Sequence, residues 1–512
     1  MQENKYKYKF FSQNIQLNKD NFLSTIDWHK LASKYEQKYR HNRVAENKSN
    51  YQERILGIPK IPDSLQLRDY QKQAIASWFH NRGRGTLKMA TGSGKTIIAL
   101  AIATELYQQI GLQVLLVVCP YRHLVTQWQR ESKKFNLQPL LAFENLRNWQ
   151  TELATQLYNI RVGNQFFLTI ITTNSTLIQE SFQSQLKFFP AKTLIIGDEV
   201  HNLGSAKVES SLPRNIGLRI GLSATPERYY DEEGTETIFN YFGRVLPPEF
   251  SLAEAIKKGA LVSYLYYPIL VELTAAEAII YARLTKRIGW ALSKNNNKED
   301  NDTLTSLLVK RSRLIGAAAN KLTALKELMS KRLHTSHTLF YCGDGYSKNY
   351  PVNYSGHDNY IPRQLEAVTR ILGKELGYRV NTYTTDTPLK EREILRQQFE
   401  QGRLQGLVAI RCLDEGVDIP AITTAVILAS TSNPRQFIQR RGRILRPYPG
   451  KKQATLFDMI VMPPNLERET WEVEKNLLRK ELIRFIEFAE LSLNAESAID
   501  KLLTIQDKYG LT

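Results

Sequence analysis

Lys88-Met89-Ala90-Thr91-Gly92-Ser93-Gly94-Lys95-Thr96 is the stretch that decides the fold, and an apolar helical run follows it. Its two glycines let the backbone curl so that successive N–H groups face one point, towards which the next helix directs its positive end. Such a loop is typical of phosphate-binding sites, where Lys95 would reach the β- and γ-phosphates of a nucleotide and the Thr96 hydroxyl would hold Mg²⁺. Met89 replaces the first glycine of the strict pattern, so a Gly-rich surface turn is the alternative at this point.

The composition indicates a large, basic protein of about three domains. Its 512 residues include 69 Lys and Arg against 51 Asp and Glu, a net charge of +18. This balance favours a polyanionic partner such as nucleic acid, although a membrane surface or solubility alone also fits it. The three cysteines lack metal-ligand spacing and are expected to be reduced core residues. Because no apolar leader or membrane-length run is present, we expect a cytoplasmic protein without membrane contact.

Strand and helix patterns alternate in two blocks, 86–223 and 338–460, and each block predicts a parallel sheet flanked by helices. Between them the pattern is helical, and its polar break at 294–302 predicts a mobile loop joining two helices. The predicted domains are a basic N-terminal extension (1–62), a first α/β domain (63–265), a helical bridge (266–335), a second α/β domain (336–465) and a C-terminal helical tail (466–512).

Aromatic residues concentrate in two further stretches. Lys alternates with Tyr and Phe at 5–10, and four tyrosines lie between 343 and 360. Basic and aromatic side chains together could follow a phosphate backbone and stack on bases. An edge strand with a solvated helix, and an ordinary surface loop, are the respective alternatives.

A second candidate site follows the apolar strand 193–196, where the chain reads Gly197-Asp198-Glu199-Val200-His201. A carboxylate at the carboxyl end of a strand can anchor a nucleotide-bound Mg²⁺, the role predicted for Asp198. Glu199 is then placed to orient and deprotonate the water that attacks the γ-phosphate. An isolated acidic pair after a strand is usually a solvated turn, but its position downstream of a phosphate-binding loop favours the functional interpretation.

Five stretches resemble, in order, the motifs of superfamily 2 helicases and translocases. They are 91–96 (motif I), Asp198-Glu199-Val200-His201 (a DExH-type motif II), Leu222-Ser223-Ala224-Thr225-Pro226 (motif III), Cys412-Leu413-Asp414-Glu415-Gly416-Val417-Asp418-Ile419-Pro420 (motif V) and Gln439-Arg440-Arg441-Gly442-Arg443-Ile444-Leu445-Arg446 (motif VI). The resemblance covers residues 64 to 462. It implies two tandem RecA-like P-loop NTPase domains with ATP and Mg²⁺ in the cleft between them.

The resemblance also assigns roles to single positions. The implied nucleotide-binding residues are Arg68, Gln71, Thr91, Gly92, Ser93, Gly94, Lys95, Thr96, Gly416, Asp418 and Gln439. The implied catalytic residues are Lys95, Asp198, Glu199, His201, Arg443 and Arg446, with Thr96 and Asp198 as metal ligands and Ser223 and Thr225 coupling hydrolysis to domain motion. Gln71 suits an adenine reader because an amide both donates and accepts. Arg443 and Arg446 resemble arginine fingers, three apart on a helical stretch and pointing the same way.

Nucleic-acid contacts are predicted at Arg122, which resembles motif Ia, and at Thr172 and Thr173 after a strand. Their donors suit phosphates and do not read base sequence. Ile410 stands where many relatives have a Thr that contacts the nucleic-acid backbone.

The wording of motifs II and V resembles the branch of XPB-like repair helicases and restriction-system motors, which favours double-stranded DNA. Within that branch, bacterial proteins associated with DNA phosphorothioation and phage defence are most similar, and in such systems a partner protein would supply cleavage. The resulting prediction is an ATP-dependent DNA helicase or translocase. An RNA helicase or remodeller, and an ATP-switched clamp that recruits a partner nuclease, are the alternatives.

Overall fold

The chain forms two compact units, Met1–Glu254 and Ala255–Thr512, in a computed structural model. The structure describes residues 22–41, 56–228, 231–293, 298–343, 345, 363–384, 387–410, 419–429 and 442–511. The alternation of Lys with aromatic residues at 5–10 and the tyrosines between 346 and 360 lie outside the described residues.

Six parallel strands form the sheet of the first unit, in the order β1-β6-β5-β2-β4-β3. The strands are β1 (Arg84–Lys88), β2 (Val114–Cys119), β3 (Pro139–Ala142), β4 (Leu168–Thr173), β5 (Thr193–Asp198) and β6 (Leu218–Ser223). Four of them, β2, β4, β5 and β6, are buried along their whole length, as expected for strands covered on both faces. Since every strand is parallel, all the carboxyl ends lie at one edge of the sheet.

The helices of the first unit precede, connect and follow these strands. They are α1 (Trp28–His41), α2 (Asp69–His80), α3 (Lys95–Ile110), α4 (Arg122–Lys134), α5 (Gln150–Val162), α6 (Asn174–Leu177), α7 (Glu180–Leu186), α8 (Ala206–Glu209) and α9 (Glu232–Phe242), with 3-10 turns at Leu146–Asn148 and Val200–Asn202. α3 is buried continuously from Ile98 to Leu106, a mostly apolar run in which the Thr104 hydroxyl donates to the Leu100 carbonyl and Glu105 pairs with Lys38. Gly111 ends the helix in the left-handed conformation that favours glycine.

The second unit holds another sheet of six parallel strands, in the order β7-β12-β11-β8-β10-β9. The strands are β7 (Ser263–Glu272), β8 (Thr338–Cys342), β9 (Val380–Tyr383), β10 (Gly406–Ile410), β11 (Thr424–Ile427) and β12 (Gln453–Met462). Phe340, Val408 and Val426, from three adjacent strands, lie in one buried cluster together with Leu322 of the preceding helical segment.

The helices associated with this unit include two long ones at the C-terminal end. They are α10 (Leu252–Lys257, which crosses the boundary between the units), α11 (Ala275–Ser293), α12 (Lys298–Gly316), α13 (Asn320–Ser330), α14 (Gln364–Arg370, continued by a π-helical turn Ile371–Glu375), α15 (Leu389–Glu400), α16 (Arg468–Glu490) and α17 (Ala495–Tyr509). Across the described ranges of the chain, no helix is both long and apolar enough to cross a membrane.

The two sheets confirm the predicted fold class, but some elements differ from the sequence patterns. The predicted boundary at 265/266 falls inside β7, which pairs along its whole length with β12, and the contacts divide the chain at Glu254/Ala255. A strand pattern does not reveal which sheet the strand joins, because its partner here is distant in sequence. The predicted loop is wrong from Lys298 onwards, where α12 begins, and 294–297 lie outside the described residues.

A buried ionic network joins α11, α12 and α16. Arg311 donates from Nη2 to Glu474 Oε1 at 2.8 Å and to the Tyr281 hydroxyl at 2.6 Å, and that hydroxyl donates to Glu474 Oε1 at 2.6 Å. Arg311 and Glu474 are almost completely buried, so removing either would leave an uncompensated charge at a cost of about 3–5 kcal/mol. The network therefore fixes α16 against α11 and α12, the two helices that follow β7.

A second buried cation, Lys321 on α13, donates its ammonium to the backbone carbonyl of Leu428. Burial lowers the pKa of Lys321 to about 8, although the carboxylates of Asp458, Glu481 and Glu277 act in the opposite direction. In the unfolded chain the lysine returns to a pKa of about 10.4. Between these values the folded protein binds fewer protons than the unfolded chain, so stability rises with pH.

We therefore expect the free energy of unfolding of the wild type, relative to that of Lys321→Met, to increase by about 2 kcal/mol between pH 7 and pH 10. Urea denaturation of both proteins at both pH values measures this difference. Lys331→Met is the matched control, because the Lys331 side chain at the end of α13 is 69% exposed. The same pH dependence in all three proteins would contradict the buried charge.

Candidate nucleotide-binding site

The loop between β1 and α3 curls through two glycines in the left-handed region. Gly92 has φ 88° and Gly94 has φ 85°, values that other residues rarely adopt. A Cβ at Gly94 would lie 2.5 Å from Gln71 Nε2, so a side chain at this position would displace the Gln71 amide. α3 begins at Lys95 and directs the positive end of its dipole into this loop.

The polar groups of this loop suit an anionic ligand. Lys95 Nζ donates to the carbonyl of Met89 at 2.9 Å, which keeps the ammonium beside the loop. The hydroxyls of Thr91 and Ser93 are buried and have no hydrogen-bond partner among the described residues. Buried hydroxyls without partners are costly, and phosphate oxygens would supply the missing acceptors. Thr96 is the second residue of α3, one position beyond the lysine.

Two side chains of α2 hold the loop at Ser93. The Tyr70 hydroxyl donates to the Ser93 carbonyl at 2.6 Å, and Gln71 Nε2 donates to the same oxygen at 3.1 Å. Gln71 Oε1 accepts from the backbone N–H of Arg68 at 2.9 Å. One N–H and one lone pair of the amide remain for a base edge, so the predicted adenine contact is chemically compatible with this geometry.

The acidic pair lies where β5 ends. Asp198 is the last residue of the strand, and Glu199 has a left-handed backbone with φ 45°. Asp198 Oδ2 accepts from the indole Nε1 of Trp128 at 2.8 Å, and Oδ1 accepts from the Glu199 backbone N–H at 3.0 Å. Burial and the nearby Glu199 carboxylate raise the pKa of Asp198 to about 6, against the opposing effects of Trp128 and Lys95. A bound cation at this position would favour the ionised carboxylate.

The structure brings the predicted coupling residues together around one hydroxyl. Ser223, the last residue of β6, lies 3.2 Å from His201 Nδ1 and donates to Glu199 Oε2 at 3.4 Å. Its Oγ also accepts from the Thr225 backbone N–H at 3.1 Å. Asn202 Nδ2 lies 3.0 Å from His201 Nε2, so both ring nitrogens of this buried histidine have polar neighbours.

The three predicted nucleic-acid contacts differ in how exposed their side chains are. Thr172 is fully buried in β4 and its hydroxyl donates to the Ala142 carbonyl at 2.7 Å, so its prediction as a phosphate contact is wrong. Thr173 is also buried, and its hydroxyl caps α6 by accepting from the Thr176 backbone N–H at 3.2 Å. The sequence placed both beyond the strand end, whereas β4 runs to Thr173. The Arg122 side chain is 72% exposed and lies 3.3 Å from Glu144.

Motif VI residues lie in the second unit. Arg443 is buried within the last helical residues before a turn at Leu445, and Arg446 lies beyond that turn. The prediction that both arginines share one helical face is therefore wrong, because the helix ends between them. Their role as arginine fingers stays a prediction, as do the roles of three residues outside the described ranges: Gly416, Asp418 and Gln439.

Lys451 binds carbonyl groups at the end of this helix. Its ammonium donates to the carbonyls of Ile444 at 2.6 Å, Arg446 at 2.9 Å and Pro420 at 3.1 Å. Burial lowers the pKa of Lys451 to about 8. The lysine thus connects the last residue of motif V, Pro420, to the segment that contains the two arginines.

Sequence patterns missed three residues of these sites: Tyr70, Trp128 and Lys451. Tyr70 is adjacent to Gln71 in α2, and Trp128 falls on the apolar face of α4, so both match the pattern of ordinary core residues. Lys451 follows a Pro-Tyr-Pro-Gly turn and resembles a surface lysine. The only local signal in the sequence was that Tyr70 is adjacent to Gln71, the predicted adenine contact.

Two family descriptions match the chain. Residues 64–228 match "Type III restriction enzyme, res subunit", and residues 356–448 match "Helicase conserved C-terminal domain". The first match contains the P-loop, the acidic pair and Ser223, and the second contains Arg443 and Arg446.

Similar proteins agree with these matches. The DNA 3'-5' translocase XPB2 of Sulfurisphaera tokodaii is 29% identical over 79% of this chain and 84% of that protein. The DNA 3'-5' helicase XPB of Kineococcus radiotolerans is 22% identical over 79% of this chain, which spans 61% of that relative's length. The DNA-bound structure of the ATP-dependent Type ISP restriction-modification enzyme LlaBIII aligns with 84% of this chain and 30% of its own, with a TM-score of 0.53 and 18% identity.

The fold of two parallel six-stranded sheets, the ordered motifs and these matches agree. The two family matches and the similarity to XPB-like proteins support an ATP-hydrolysing helicase or translocase of superfamily 2, with tandem RecA-like domains.

Proposed function

We propose that the protein couples ATP hydrolysis, with Mg²⁺ as cofactor, to movement along double-stranded DNA. The observation that carries the proposal is the convergence of the P-loop, the pair Asp198–Glu199 and the Ser223 hydroxyl at the carboxyl ends of β1, β5 and β6. In this proposal the P-loop supplies the phosphate-binding donors, Asp198 the metal ligand and Glu199 the general base, and the neighbouring Ser223 responds to the state of the nucleotide.

Each residue has a chemical task in this proposal. Lys95 and the backbone of the P-loop bind the β- and γ-phosphates. Glu199 orients a water molecule and accepts its proton as the water oxygen attacks the γ-phosphorus. The bond between that phosphorus and the ADP oxygen breaks. Arg443 and Arg446 are proposed to stabilise the charge that develops on the transferred phosphoryl group. Ser223 and Thr225 then transmit the change from the ATP state to the ADP state.

The oxygen donors of Thr96 and Asp198 fit a Mg²⁺ ion, because this hard cation prefers hydroxyl, carboxylate and phosphate oxygens. Thr96 in the first turn of α3 and Asp198 at the end of β5 both lie at the same edge of the first sheet. When bound, the ion neutralises charge on the phosphate oxygens.

DNA is the proposed track for two reasons. The relatives described above are named as a DNA translocase and a DNA helicase. The net charge of +18 attracts a polyanion through contacts that do not depend on base sequence. Arg122 is the exposed candidate for a backbone contact in the first unit. The pathway that we propose for this activity is phage defence, in which a partner nuclease would perform cleavage.

The first test is the ATPase rate against duplex DNA, single-stranded DNA and RNA. We expect duplex DNA to stimulate the rate most, and Lys95→Ala to abolish ATPase activity while it leaves DNA affinity within about twofold, because the lysine binds nucleotide phosphates. Preferential stimulation by RNA would favour the helicase or remodeller of RNA, and unchanged turnover in Lys95→Ala would refute the role of that lysine.

A second experiment separates a motor from a clamp that only recruits partners. Glu199→Gln should retain ATP and DNA binding but lose hydrolysis and the displacement of a third strand from duplex DNA, because the amide cannot accept the water's proton. Glu236→Gln is the control, since Glu236 is an exposed carboxylate paired with Arg244 in the same unit. Absence of strand displacement by the wild type, with intact ATPase activity, would favour the clamp.

The shape of the P-loop gives a third prediction. Gly94→Ala introduces a Cβ against Gln71, whereas Gly163→Ala introduces one at nearly the same φ, 83°, with nothing within 4 Å. Both variants should lose about 1 kcal/mol of stability from the left-handed backbone. Only Gly94→Ala should weaken ATP binding, by about tenfold or more, because displacement of the P-loop would cost a charge-assisted hydrogen bond from the loop to phosphate. Equal ATP affinity of the two variants, measured by calorimetry, would show that the loop tolerates the displacement.

A further inference from the structure

Trp128 makes a polar contact that its position on an apolar helix face does not require. It lies on α4, its side chain is 1% exposed, and its indole Nε1 donates to Asp198 Oδ2 at 2.8 Å. α4 follows β2, and β2 pairs directly with β5. The pairing of these two strands brings α4 next to the end of β5. A tryptophan from a neighbouring element thus reaches the carboxylate that the proposed mechanism assigns to the metal.

The two oxygens of Asp198 receive donors from opposite sides. Oδ2 accepts from Trp128, and Oδ1 accepts from the Glu199 backbone N–H at 3.0 Å. Each oxygen keeps a lone pair for another partner, but the two donors fix the rotation of the carboxyl group about its Cβ–Cγ bond. A ligand held in one orientation binds a metal ion without first losing rotational freedom.

Burial alone does not account for this bond. Trp149, also in the first unit, is likewise 1% exposed, packs against Phe182, and has an indole N–H without a hydrogen-bond partner among the described residues. The interior of this unit therefore accommodates a tryptophan whose N–H is unused. The indole of Trp128, by contrast, is directed at a charged group.

We propose that Trp128 is a positioning residue that holds the Asp198 carboxylate in the orientation that binds the Mg²⁺ of a bound nucleotide. The inference rests on the proposed function, since it concerns the same metal site. It assigns to Trp128 no contact with nucleotide or metal, and its effect passes through Asp198 alone.

The test compares the binding of N-methylanthraniloyl-ADP in the presence of Mg²⁺ and in EDTA. In the wild type, Mg²⁺ should tighten binding. In Trp128→Phe, which removes the N–H and keeps an aromatic ring, the affinity in EDTA should stay within about twofold while the gain from Mg²⁺ falls about tenfold, the usual scale for loss of a bond that orients a metal ligand. Trp149→Phe removes an indole N–H that has no described partner and should change neither value.

Replacement of Trp128 by benzothienylalanine, which exchanges the N–H for sulfur at nearly the same shape, separates the hydrogen bond from packing. The same loss of the Mg²⁺ gain in this variant supports the proposal even if Trp128→Phe is unstable. An unchanged Mg²⁺ gain, or an equal loss in Trp149→Phe, overturns it. If the wild type itself shows no Mg²⁺-dependent nucleotide binding, the proposed function fails first and this inference with it.

Discussion

A parallel sheet collects the carboxyl ends of all its strands at one edge, and the nucleotide chemistry of the first unit depends on that constraint. The order β1-β6-β5 places β6 between the strand that leads to the P-loop and the strand that ends at Asp198. β1 and β5 are thus about 10 Å apart. Ser223 at the end of β6 contacts both sides: its carbonyl accepts from the Met89 backbone N–H at 3.0 Å, and its hydroxyl donates to Glu199.

Motifs that depend on local backbone chemistry could be predicted from the sequence. The glycines of the P-loop and the acids after β5 need only a strand, a turn and a helix start, all of which are encoded within a few residues. The bond from Trp128 to Asp198 could not be predicted, because it joins residues 70 positions apart through the pairing of β2 with β5. The prediction that Thr172 contacts phosphate was wrong because β4 extends past this residue and its hydroxyl is buried.

The second unit shows the same division between local and distant information. The strands β8 and β10 coincide with the predicted runs, because each is a short apolar run of the kind that fills the centre of a sheet. The assignment of β7 to this sheet depended on its pairing with β12, which is distant in sequence. Buried cations such as Lys321 and Arg311 have no signature in a one-dimensional pattern, since their sequence neighbourhoods resemble those of surface residues.

Glu199 illustrates a conflict between what the backbone favours and what the chemistry needs. Its φ of 45° lies in a region where a residue with a side chain costs about 1–2 kcal/mol, and where glycine or asparagine is more comfortable. The chain nevertheless keeps a carboxylate there, with its Oε2 accepting from Ser223 at 3.4 Å. Replacement of this residue by glycine would relieve the backbone cost and at the same time remove the carboxylate that the proposed mechanism uses as its general base.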